Sequence, residues 1–189
     1  MSEGFHVHGP HDHQVEHQAH SGDHFAARVA VMTAILATVG ALISYQGGAT
    51  QNAALLFKNE AAIKKTEASD QWNFYQAKSN KQNLAELGAT LTTGKVADDY
   101  RTEVERYKKE KEKIMADAKA LEQASREADG KSEESMHLHH RWAQSMALIQ
   151  IAIALAAITL LTRQKWLQWM AYGAGIGSLV VAALAFAHI

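Results

Sequence analysis

The chain has 189 residues, with 19 Lys and Arg against 20 Asp and Glu and a net charge of −1, so nothing in its electrostatics favours nucleic acid or another polyanionic partner. It contains no cysteine, which excludes disulfides, thiolate metal sites and thiol nucleophiles. The mildly polar average conceals a patchwork, because nearly all charged residues lie between Lys58 and Arg141 and two long tracts outside that region carry almost none.

Residues 1–24 form a polar tail rich in His, Gly, Gln and Asp, with too few apolar side chains to build a core, and disorder is expected there. The one proline, Pro10, lies in this tail, so every later helix is free to run uninterrupted. The tail lacks the basic segment and short apolar core of a cleaved signal peptide, so the first apolar tract is expected to remain as an anchor. His6, His8, His11, His13, His17 and His20, together with His24, are interspersed with Asp12, Glu16 and Asp23. Imidazole and carboxylate suit zinc, nickel or copper, and the His-x-His pairs have chelating spacing, although the pattern is not that of a closed structural site. A labile metal buffer, a pH-responsive tail and a solvated low-complexity segment all stay open.

From Val29 to Tyr45 the sequence VAVMTAILATVGALISY is uncharged, bounded by Arg28 and by Gln46, Gly47 and Gly48. With Phe25 to Ala27 added, residues 25–46 are long enough to cross an apolar layer of roughly 30 Å at about 1.5 Å per residue. The competing reading is a buried helix of a soluble bundle, but only the other two apolar tracts match it in hydrophobicity.

Residues 47–142 read as an extramembrane helical hairpin. Its first arm, Ala49 to Leu87, has helical composition and an uneven stripe in which Leu56, Ile63, Ala77 and Leu84 keep seven-residue spacing while Asp70 interrupts. The segment Gly88 to Gly94 supplies a turn near 88–95, with helix-stopping glycine at both ends. The second arm carries the most regular signal in the chain. Ala97, Tyr100, Val104, Tyr107, Lys111, Ile114, Ala118, Leu121, Ser125, Ala128, Ser132 and Ser135 recur at steps of three and four on a helix otherwise dense in Glu, Lys and Arg. The arms are expected to be antiparallel and coiled-coil-like, to project roughly 60 Å if straight, and to continue into the flanking spans, with Gly47–Gly48 as the natural kink. Trp72, Phe74 and Tyr75 spread around their helix, and a lone hairpin cannot cover all three. A homo-oligomer or a protein partner bound through the hairpin is therefore expected.

Residues 143–162 and 166–188 are the second and third spans, joined by only Arg163, Gln164 and Lys165 and hence antiparallel neighbours in the lipid bilayer. Tyr45, Trp142, Trp166, Trp169 and Tyr172 sit where aromatic belts form at membrane–water boundaries. Gly40, Ser44 and Gly48, Gly173 and Gly177, and Ala171 and Gly175 offer close backbone approach, and Gln144 and Gln150 are candidate hydrogen-bond partners between helices. The fold class is thus all-α, with three transmembrane helices and a helical hairpin. Arg28, Arg163 and Lys165 favour a cytoplasmic N-terminus, with the hairpin and C-terminus outside.

No phosphate loop, nucleophile elbow or His-Glu-x-x-His motif occurs, and the spans hold no ionisable group of a proton or ion path, so no catalytic or cofactor-binding residue is assigned. Glu133, Glu134, His137, His139 and His140 cluster beside the second span, and Glu134 and His137 keep the Glu-x-x-His spacing of di-iron bundles. There is no second such pair, and a juxtamembrane polar cluster is the simpler reading. One span separates this cluster from the histidine tail, which places the two on opposite membrane faces.

The stretches from Ala30 to Leu87 and from His139 to Trp166, above all Glu-Ala-Ser-Asp-Gln-Trp at Glu67 to Trp72, resemble an uncharacterised bacterial membrane-protein family, the domain of unknown function DUF4337. The resemblance covers nearly the whole chain. It implies a bacterial inner (plasma) membrane setting and supplies no reaction, ligand or catalytic residue.

Overall fold

The computed structural model describes residues 24–187, and the tail histidines His6, His8, His11, His13, His17 and His20 lie outside them. The described residues are all helical apart from two short turns. They form α1 (His24–Leu91), α2 (Lys95–Thr162) and α3 (Lys165–Phe186). Helices α1 and α2 are each 68 residues long. Helical bonding passes through Gly47–Gly48 in α1 and through Trp142 in α2 without a break. All three helices contain a stretch long and apolar enough to cross a membrane. Of the described residues, 24–51 and 136–187 belong to one compact unit, unit 1, and Asn52–Ser135 forms a second, unit 2.

In unit 2 the chain reverses through Thr92, Thr93 and Gly94. Gly94 adopts φ +62°, a left-handed conformation that costs other residues about 1–2 kcal/mol. Its carbonyl accepts the Asp98 N–H and so starts α2. Gly88, expected to stop the first arm, is helical instead. Its missing side chain makes room for the Tyr100 ring, whose nearest atom would lie 2.8 Å from a Cβ at that position.

The stripe on the second arm holds every buried residue between Lys95 and Ser135, namely Ala97, Val104, Ile114, Ala118, Ala128 and Ser132. The first arm departs from expectation. Its buried positions are Ala54, Ala61, Ala68, Gln82 and Ala85, whereas Leu56, Ile63 and Leu84 are 69, 57 and 67% exposed. The seven-residue repeat is real, but the buried seam lies two residues before the apolar one and is built of alanine. Ser132 Oγ donates to the Ala54 carbonyl and Ser125 Oγ to the Ala61 carbonyl, each over 2.8 Å. Each step of seven along α1 is met by a step of seven back along α2, so these segments run antiparallel. Side chains this small let the backbones approach closely enough for a serine to reach the opposite main chain.

Unit 1 has its own core of Val29, Met32, Ala156 and Ala171, flanked by Phe25, Leu36, Leu155 and Leu160. Gly40 and Gly175 serve close approach. A Cβ on Gly40 would sit 3.4 Å from Ile149 Cγ2, and one on Gly175 would sit 3.0 Å from Leu36 Cδ2. Gly48 and Gly173 would meet nothing within 4 Å. Helices α2 and α3 are joined by Arg163 and Gln164. Arg163 takes φ 53° and its N–H bonds the Thr159 carbonyl, which closes the last turn of α2.

Candidate interaction surfaces

The second polar cluster, Glu133 to His140, is divided between the two units. Glu133 and Glu134 fall in unit 2, and His137, His139 and His140 in unit 1. Among the described residues no group of three or more His, Asp or Glu is arranged to hold a metal ion. His139 has a structural partner: its Nδ1 lies 2.9 Å from the Gly47 carbonyl, and because a carbonyl only accepts, the bond places the ring proton on Nδ1. A Cβ on Gly47 would make an ordinary contact with Trp142 Cβ at 3.5 Å.

In unit 2 the polar side chains that flank the seam bind across it. Trp72 Nε1 donates to Glu122 over 2.8 Å, and Trp72 packs edge-on against Tyr75 with ring centroids 5.6 Å apart. Lys78 Nζ donates to Glu110 over 2.5 Å and lies over the Phe74 and Tyr107 rings, while Arg106 stands 3.7 Å from the other Glu110 oxygen. The Lys78 hydrogen bond, aided by the charges of Lys78, Arg106 and Lys81, holds the Glu110 carboxyl below its ordinary range despite some desolvation. Lys58 is raised by its hydrogen bond to Asp129 and by the charge of that carboxylate. Lys111 bonds Ser79 and covers the Tyr75 ring. The segment with the most specific resemblance, Glu67 to Trp72, therefore marks the point where the alanine seam gives way to aromatic and ionic contacts. Gln82 is the weak point: Nε2 reaches Glu86, but the buried Oε1 has no partner.

The opposite face of α1 is bare. Leu56, Ile63, Leu84 and Leu91 are exposed in one heptad register, with Phe74 and Leu87 beside it, although this segment is rich in Lys and Glu.

Within unit 1 the side-chain hydrogen bonds between α2 and α3 come from residues that the sequence did not single out. Ser145 Oγ donates to the Ser178 carbonyl over 2.9 Å, Ser178 Oγ donates to the Ser145 carbonyl over 2.8 Å, and both serines are fully buried. Gln144 and Gln150, expected in that role, are exposed. A serine at a close helix contact carries only a weak signal in sequence, since small residues of several kinds serve such contacts in apolar helices. The other feature of unit 1 is a groove of about 870 Å³ between α1 and α3, with His24, Arg28 and Tyr172 among its polar lining.

Neither the curated proteins nor the solved structures include a match to this chain. The family described as Domain of unknown function (DUF4337) matches residues 25–188, which takes in the apolar stretches of all three helices and both arms of unit 2. On that match, the chain belongs to the DUF4337 family.

Proposed function

We propose that this chain is a non-enzymatic, multi-pass bacterial inner-membrane protein that self-associates through its extramembrane helical hairpin. Three spans lie in the bilayer, the N-terminus faces the cytoplasm and the hairpin lies outside. The observation that carries the reading is the outer face of α1. Leu56, Ile63, Leu84 and Leu91 form an exposed heptad stripe, interrupted at Asp70, in a segment too charged to enter lipid. Apolar side chains repeated at that interval in water are the signature of a helix face that is covered by another helix. Membrane residence is supported by the apolar windows of the three helices, of which only 28, 28 and 22% of residues are buried within the chain. In a bilayer, lipid tails solvate the remainder.

Chemical crosslinking in native membranes, followed by native mass analysis in mild detergent, tests this reading. A discrete oligomer is expected, and Leu84→Glu should dissociate it. A strictly monomeric wild-type chain overturns the proposal.

A second reading, that of a metal-handling accessory, rests on the spacing of His6, His8, His11, His13, His17 and His20. Titration of zinc, nickel or copper into the full-length protein and into one lacking residues 1–23 separates the two. Equal affinity in both ends the metal reading.

A further inference from the structure

We propose that unit 1 carries a binding site for one anionic phospholipid, with the phosphate held at Arg28 and an acyl chain lying in the groove between α1 and α3. The inference rests on the membrane reading above. The groove is polar at one end and apolar beyond. On α1, His24, Arg28, Val31 and Ile35 follow one another on a single face, and on α3 Tyr172, Ile176 and Leu179 do the same. Arg28 stands immediately before the uncharged tract that begins at Val29, at the depth where a span meets the headgroup layer. At about 870 Å³ the groove falls within the range of ligand-sized clefts, roughly 300–1,000 Å³.

The charge balance names the ligand. Residues 24–51 and 136–187 contain Arg28, Arg141, Arg163 and Lys165 but no Asp or Glu at all. None of the described residues that line the groove is acidic. Arg28 uses its Nε to donate to the His24 carbonyl over 3.1 Å, which engages one of five N–H groups. A guanidinium at a low-dielectric boundary, without a carboxylate among the described residues of its unit, is matched by a phosphate, which its planar fork binds in bidentate fashion. Tyr172 Oη, which accepts a long bond of 3.4 Å from Gln168 Nε2, adds a hydroxyl donor at the same end. A lipid bearing net negative charge satisfies both ends of the groove. A zwitterionic lipid carries its own cation beside the phosphate and gains less from Arg28.

The test is native mass spectrometry of the full-length protein in non-ionic detergent, with equimolar phosphatidylglycerol and phosphatidylcholine of identical acyl chains. The wild type is expected to retain one phosphatidylglycerol per chain with about tenfold preference. Arg28→Gln should bring the ratio close to one, and Arg28→Lys should recover part of it. Ile176→Trp, which fills the groove, should lower retention of both lipids. A wild-type ratio near one, an unchanged ratio in Arg28→Gln, or full retention in Ile176→Trp overturns the site. Fractionation of the same cells keeps the two readings apart. A chain found in the supernatant defeats the membrane reading, whereas a membrane-bound chain without lipid preference defeats only this one.

Discussion

Ser132 reaches across unit 2 to the main chain of Ala54, and Ser125 makes the same bond to Ala61 one heptad closer to the turn at Thr92–Gly94. Each bond joins a side-chain hydroxyl to a carbonyl that already accepts a helical N–H, so its loss strands no buried backbone group. Ser125→Ala and Ser132→Ala keep the small volume that the seam needs. Each should lower stability by about 0.5–1.5 kcal/mol, read from denaturant unfolding of the full-length protein followed by circular dichroism. Larger replacements such as Ser132→Leu should cost more, because they force the helices apart.

Gln82 gives a prediction of opposite sign. Its Oε1 is buried without a partner, and its only bond is to the exposed Glu86. Gln82→Leu removes the desolvated carbonyl and leaves Glu86 to water. A gain of about 1 kcal/mol in unfolding free energy is expected. A loss would mean that the carboxamide performs a task its surroundings do not reveal.

The two glycines near the turn should part company on mutation. Gly94 has φ +62°, so Gly94→Ala should cost about 1 kcal/mol. Gly88 is helical and touches only the outer end of the Tyr100 side chain, which is 39% exposed and free to swing away. Gly88→Ala therefore trades ring displacement against a gain in helix propensity of up to about 1 kcal/mol and should be close to neutral. Thermal melting of the two variants side by side distinguishes them.

The ion pairs across unit 2 set a pH signature. Glu110 has a depressed folded-state value, so the stabilisation it brings is present at neutral pH and is lost as pH falls through that value, below the ordinary range near 4. The melting-temperature gap between wild type and Glu110→Gln should shrink on going from pH 7 towards pH 3. Lys58 has a raised value, so its contribution is complete below about pH 10 and fades at higher pH. Lys58→Gln should therefore differ from wild type at pH 8 and converge with it as pH rises through that raised value. Both pairs still meet solvent, so both gaps should also narrow in high salt.

Gln150 lies near the middle of an uncharged tract and faces outward. On the proposed membrane and self-association readings, lipid tails offer a carboxamide nothing, whereas an identical glutamine on a neighbouring copy, inserted the same way and hence at the same depth, offers both a donor and an acceptor. Gln150→Leu should weaken self-association in bilayers by about 0.6–2 kcal/mol, measured by energy transfer between labelled chains at varied protein-to-lipid ratio. Gln150→Asn, with a shorter reach, should fall between the two.

How much of this was legible depends on side-chain size. The seam of the second arm was visible because Val104, Tyr107, Ile114 and Leu121 are large apolar residues in a charged background. On the first arm the large apolar residues Leu56, Ile63 and Leu84 point away from the partner helix, and the true seam consists of Ala54, Ala61 and Ala68, which barely register in a hydrophobic pattern. The period was therefore readable and the face was not. The same holds for polar contacts. Gln144 and Gln150 draw attention by their bulk, yet Ser145 and Ser178 make the bonds, because only a short side chain fits where two backbones nearly touch. Gly88 reads as a stop signal from its identity alone, and only the Tyr100 ring packed on it explains why it remains inside a helix.

A contact surface of repeated alanines resembles a ruler whose marks all look alike. Shifting one arm by a single heptad would still set small residues against small ones and would offer Ser132 the carbonyl of Ala61 in place of Ala54. What fixes the zero of the scale is the handful of unique features: the three-residue turn, Trp72 on Glu122, Lys78 on Glu110 and Lys58 on Asp129. Alignment in this domain is thus set by the turn and a few large or charged residues spaced along the arms, and the alanines between them inherit it.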